Sequence, residues 1–255
     1  MTDLDHGGRW TALRLGGRDW LWQRADPARG TVVPGDDFVD AGGLEECVPT
    51  VRGTPDHGAA WSRRWRRDGD RDVVECPDFV LHRRIHDTGE LVHADYELTA
   101  DPGYRFVWAA HALLDLGVGA QVDLPLGAPA RVYGGGAPEL GSWPRPLDLD
   151  LGEFGPDDGT AIGVVVTDTD SVVVRDGADQ LRFELTAPAD VPTSVALWRN
   201  LGGFPADRPY RSIGVEPMLG RVFELAEAGP GDAAETGPDG SLRWRLTVTA
   251  GTDAR

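Results

Sequence analysis

Three stretches of this sequence carry side chains able to transfer protons or grip a polyhydroxy ligand. Residues 55–65, PDHGAAWSRRW, bring Asp56, His57, Trp61, Arg63, Arg64 and Trp65 into eleven positions. His111 stands alone in the apolar run YRFVWAAHALLDL, and Glu216 lies between Val215 and Pro217 in the strand-like run SIGVEPMLG. Burying a carboxylate is costly unless it is paired or used, which makes Glu216 the strongest of the three candidates for acid–base work. A lone His on an apolar strand is often a satisfied core side chain, and a His followed by Gly, as in His57–Gly58, is often a turn residue.

Several chemistries are excluded by what is missing. All 25 basic residues are Arg, so the chain has no lysine. Schiff-base, pyridoxal-phosphate and P-loop chemistries, which need that amine, are ruled out. The segment GVGAQV breaks the dinucleotide fingerprint at its third glycine, and no GxSxG nucleophile elbow occurs. By elimination, an unassisted acid–base site working without a cofactor gains weight. The formal net charge of −17 repels phosphate backbones and argues against a nucleic-acid partner. No apolar run reaches the roughly 18 residues of a membrane span. The N-terminus lacks the charged and apolar regions of a signal peptide, and Cys47 and Cys76 form no CxxC pair, so a cytoplasmic protein with reduced thiols is expected.

The elements that must position these residues read as strands. Short β-type runs are punctuated by Gly, Pro and Asp, with almost no helical period. Residues 78–86 and 91–100 flank the turn DTGE as a hairpin, and YRFVWAAHALLDL, AQVDLPL, AIGVVVTDTDSVVVRD, LRFELTA and SLRWRLTVTA continue the series. An all-β sandwich or barrel in one domain, residues 1–255, is the expectation. The Gly- and Pro-rich stretch 125–159 reads as a packed irregular connection, and 227–240 as a mobile surface loop. The last strand, RWRLTVTA, could be an exposed edge, which leaves monomer and homodimer both open.

Order and spacing of the motifs carry a resemblance. GGLEECVPTVRGTPDHGAAWSRRW, YELTADPGYRFVWAAHALLDLGVGAQVDLP and SIGVEPMLG together resemble the aldose 1-epimerase (galactose mutarotase) family, over nearly the whole chain. The resemblance implies a β-supersandwich of large antiparallel sheets with a sugar in a concave groove, and a metal-free interconversion of the α and β anomers of a free hexose. Carried over to this sequence, it makes Glu216 the base for the anomeric hydroxyl, His111 the acid for the ring oxygen and His57 a hydrogen-bonding partner of the sugar. The family's sugar-binding Arg and Asp have no matching motif; Arg29 is a loose candidate for the first. Trp61, Trp65 or Trp198 could offer an indole face to the sugar, and Glu46 could reach its hydroxyls.

Two alternatives stay open beside that reading. The same groove could hold a carbohydrate without turning it over. The cluster Arg63, Arg64, Arg66 and Arg67 could instead mark a hexose 6-phosphate or another lactol, although a solvated strand end balanced by Asp68, Asp70 and Asp72 accounts for it as well. His82, His86 and His93 invite a zinc assignment, but no Cys or carboxylate is seen to complete the set, and none is expected to bind metal.

Overall fold

A computed structural model of the chain describes residues 1–134 and 137–252. Two nine-stranded sheets, antiparallel throughout, face each other, which is the expected β-supersandwich. The first runs in the order Thr2–Asp3, Arg9–Trp10, Leu44–Cys47, Trp108–Leu114, Tyr210–Leu219, Thr193–Phe204, Thr160–Thr167, Pro129–Tyr133, Glu139–Ser142. The second runs Glu153–Phe154, Ala120–Asp123, Ser171–Asp176, Asp179–Thr186, Ser241–Thr252, Leu91–Ala100, Phe79–Asp87, Arg71–Glu75, Arg66–Asp68. Only two short 3₁₀ turns, Pro27–Thr31 and Leu225–Glu227, break the β pattern among the described residues, and no helix is long and apolar enough to cross a membrane.

Burial follows the pleat. In Leu91–Ala100 buried and half-exposed residues alternate, as a strand with one face on the core and one toward water requires. Trp108–Leu114 is buried along its whole length, because the first sheet is covered on both faces at its centre. Between the sheets lies the main core, where Trp108, Trp244, Tyr96 and Phe106 pack ring to ring. A second, smaller cluster of Cys47, Ala109, Val165, Ala196, Met218 and Phe223 lies on the other face of the first sheet. The candidate site shares that face.

Three expectations are corrected. The stretch 125–159 contributes sheet strands, Pro129–Tyr133, Glu139–Ser142 and Glu153–Phe154, because its Val, Tyr and Leu residues find partners across the sheet; Gly135 and Gly136 lie outside the described residues. The loop 227–240 is tied down: Ala234–Glu235 pairs with Arg105–Phe106, and Asp232 accepts from Arg131. The strand Ser241–Thr252 is interior, bonded on both sides to Asp179–Thr186 and Leu91–Ala100, so it presents no edge.

Candidate active site

Register brings the acid–base candidates together. Ala109 lies opposite Met218 and Leu113 opposite Gly214, which sets His111 opposite Glu216 on the neighbouring strand. On its other side His111 lies opposite Glu45. Residues in such a row share one face of the sheet. His111 Nε2 is 3.6 Å from Glu216 Oε1, too long for a hydrogen bond and close enough for strong coupling. The two side chains project from the same floor, side by side.

Burial is the dominant influence on both groups. Glu216 is 2% exposed and makes no bond to an Arg, so loss of hydration raises its pKa, with only the His111 charge opposing. Burial likewise lowers the pKa of His111, reinforced by His57 and opposed by Glu216. Glu216 Oε2 and His111 Nδ1 are buried without a protein partner. Gly214 makes room for the carboxylate: a Cβ there would lie 2.6 Å from Glu216 Oε1. Trp198, opposite Gly214, stands on the same floor and donates its indole N–H to Ser212 Oγ.

The wall beside this floor comes from loops. His57 sits in the left-handed region at φ 57°, and Gly58 at φ 79° approaches Val48 so closely that a Cβ would meet its carbonyl oxygen at 2.2 Å. This tight turn swings the His57 ring to 5.0 Å from that of His111, nearly perpendicular. Asp56, 3.1 Å from His57 Nδ1, is raised by burial but held lower overall by that imidazole. Phe38 stacks on His57 at 3.6 Å between centroids and meets His111 edge-on at 6.0 Å. The ring of Phe38 therefore covers the imidazoles.

Behind the wall, Arg29 is buried at the 3₁₀ turn that Asp26 caps. Its Nη2 donates to Glu45 Oε2 at 2.9 Å and to the carbonyls of His6 and Trp61, and its Nη1 to that of Val39. One guanidinium thus pins three loops to the strand next to His111. Burial, only partly offset by Arg29, raises the Glu45 pKa to about 7.

Glu46, Trp65 and Arg63 fall elsewhere, while Trp61 packs edge-on against Phe38 with 4.9 Å between ring centroids. Glu46 points to the opposite face from Glu45 and is fully buried between the sheets, bonded to Arg83, Tyr96 and Trp108. Trp61 and Trp65 are buried, with their indole N–H groups spent on the carbonyls of Asp56 and Ala60. Arg63 turns its guanidinium toward the Cys76 thiol. The remaining cluster is neutralised: Arg64 pairs with Asp5, Arg66 with Asp68 and Glu75, and Arg67 with Asp72. Phe38 was missed, and of the adjacent Glu45 and Glu46, both weighed as contacts to sugar hydroxyls, only Glu46 was chosen. Phe38 gives no periodic signal in a loop, and Glu45 in LEEC cannot be assigned a face without its register.

No protein-family profile matches this sequence, and no curated protein does. Solved structures do match. The Slr1438 protein of Synechocystis sp. PCC 6803 is similar at a TM-score of 0.72 and 14% identity, over 99% of this chain and 91% of that one. A galactose mutarotase related enzyme from Lactobacillus acidophilus is similar at 0.63 and 13%, over 98% and 94%. A galactose mutarotase-like protein from Clostridium acetobutylicum is similar at 0.60 and 10%, over 98% and 91%.

By fold, the chain is galactose mutarotase-like. At these identities the likeness concerns the backbone, and function has to be argued from the site. In this galactose mutarotase-like sandwich, the row Glu45, His111, Glu216 lies on the face of the first sheet turned away from the second, with Phe38 and His57 beside it.

Proposed function

We propose that the protein is an aldose 1-epimerase acting on a free hexose, with Glu216 as base and His111 as acid. The observation that carries this reading is the His111–Glu216 pair, 3.6 Å apart on adjacent strands, with no Arg bonded to Glu216 among the described residues. The anomeric hydroxyl oxygen and the ring oxygen of an aldose hang from a single carbon, so they are close neighbours. Two groups set side by side can address both at once.

In the forward step the Glu216 carboxylate takes the anomeric hydroxyl proton while the His111 imidazolium gives one to the ring oxygen. The bond between the anomeric carbon and the ring oxygen breaks, leaving an open-chain aldehyde, protonated Glu216 and neutral His111. Rotation about the bond between the first two carbons presents the other carbonyl face, and the reverse transfers close the ring. The pair holds one proton in total in both states. Burial, which pushes Glu216 up and His111 down, brings their proton affinities together, so the exchange costs little. The unpartnered Glu216 Oε2 and His111 Nδ1 offer further positions to sugar hydroxyls.

A neutral sugar is favoured over its 6-phosphate, since the charged neighbours that bear on the His111–Glu216 pair among the described residues are His57, Asp40 and Asp56, none of them an Arg. The test is anomer exchange by NMR saturation transfer over a panel of aldoses and their 6-phosphates. Exchange accelerated by the parent and reduced about 10²–10⁴-fold in both Glu216→Gln and His111→Asn supports the assignment. A folded parent that binds sugars without accelerating exchange makes the protein a carbohydrate-binding module instead.

A further inference from the structure

On the outer face of the second sheet, away from the candidate site, the hairpin of Phe79–Asp87 and Leu91–Ala100 sets His86 directly opposite His93. Asp95 follows His93 by two residues and so shares its face. One ligand atom from each of the three lies within 4.8 Å of the others. The two imidazoles stack at 4.7 Å between centroids, and among the described residues neither donates or accepts a hydrogen bond. We propose that His86, His93 and Asp95 form a binding site for a divalent transition metal of the zinc class.

Two imidazole nitrogens and one carboxylate oxygen are three of the four ligands of a tetrahedral zinc ion, and water from the exposed side completes the set. Metal–nitrogen bonds of about 2.0 Å put tetrahedral ligands roughly 3.3 Å apart, so closure requires a contraction that rotation of the exposed His86 ring supplies. Nitrogen donors select zinc, copper or nickel over magnesium and calcium. Arg245 donates to Asp95 Oδ1 at 2.6 Å and leaves Oδ2 on the His93 side, 4.0 Å from Nε2, as a supporting contact that orients a ligating carboxylate.

Zinc chloride titrated calorimetrically into the full chain at pH 7.5 tests the site, with His86→Ala, Asp95→Asn and His111→Asn beside the parent. The expected result is one equivalent bound by the parent and by His111→Asn, with affinity lowered about tenfold or more in His86→Ala and Asp95→Asn. Because His86 is exposed, the melting temperature of His86→Ala without metal should match that of the parent. Zinc uptake that His86→Ala leaves intact, uptake lost only in His111→Asn, or no uptake at millimolar zinc would each overturn the assignment.

Discussion

Glu45 offers a prediction that can be worked through in numbers. Its carboxyl is fully buried, and desolvation outweighs Arg29 to raise its pKa from 4.5 to about 7. The folded state then holds its proton more tightly than the unfolded chain. The stabilisation from that proton is fully present below about pH 4.5 and is lost as the pH rises through about 7. A rise of this size is worth about 3 kcal/mol in all, of which about 2.5 kcal/mol is lost between pH 5 and pH 8. Glu45→Gln removes the titrating group. It also unbalances Arg29, but that cost is nearly independent of pH because a guanidinium stays charged. The difference in unfolding free energy, parent minus Glu45→Gln, should therefore fall by about 2.5 kcal/mol from pH 5 to pH 8. Urea denaturation at closely spaced pH values, with the slope m checked for constancy, measures it directly. A flat difference, or one that rises with pH, would show that the Arg29 contact dominates and would refute the burial argument.

Other expectations follow from the same geometry. Glu46→Gln should destabilise the fold by about 3–5 kcal/mol in chemical denaturation, because Arg83 is fully buried with only Asp72 and a carbonyl left to it, while KM of the surviving protein stays unchanged. Activity against pH should trace a bell: the one-proton state of the pair is lost at low pH as the pair gains a second proton and at high pH as it loses the last one. Both limbs belong to the coupled pair rather than to either residue alone, and Glu216→Gln should abolish the bell. Gly214→Ala should displace the Glu216 carboxylate and lower kcat about 10²-fold, since the new methyl meets the carboxylate at 2.6 Å, and should lower the melting temperature as well, since it also meets Trp198 Cβ at 3.0 Å. An unchanged kcat in that variant would place the reacting carboxylate elsewhere.

Much of the architecture was legible because strands advertise themselves locally. The hairpin at 78–100 could be read from its alternation and its turn, and the structure has it at Phe79–Asp87 and Leu91–Ala100. His111 and Glu216 stood out for a related reason: each is a polar residue inside an apolar run, where burial raises a question that solvent does not answer. The stretch 125–159 misled because its glycines and prolines mask strands as short as Glu153–Phe154, which hold only by pairing with distant partners. Trp61 misled because side chains suited to a sugar are equally suited to a core.

Composition, then, established by itself that the protein has no lysine chemistry, and local pattern established that it is built of strands and carries a carboxylate and an imidazole in apolar surroundings. Tertiary structure decided which of them meet. The two neighbouring glutamates show why: both are buried, both follow the same glycine pair, and nothing local separates them. A shift of one residue in strand register reverses every side chain. Pairing with Trp108–Leu114 alone turns Glu45 toward His111 and Glu46 into the core with Arg83. The same rule of pairing set His86 opposite His93, whose own strand already carried Asp95 two residues on.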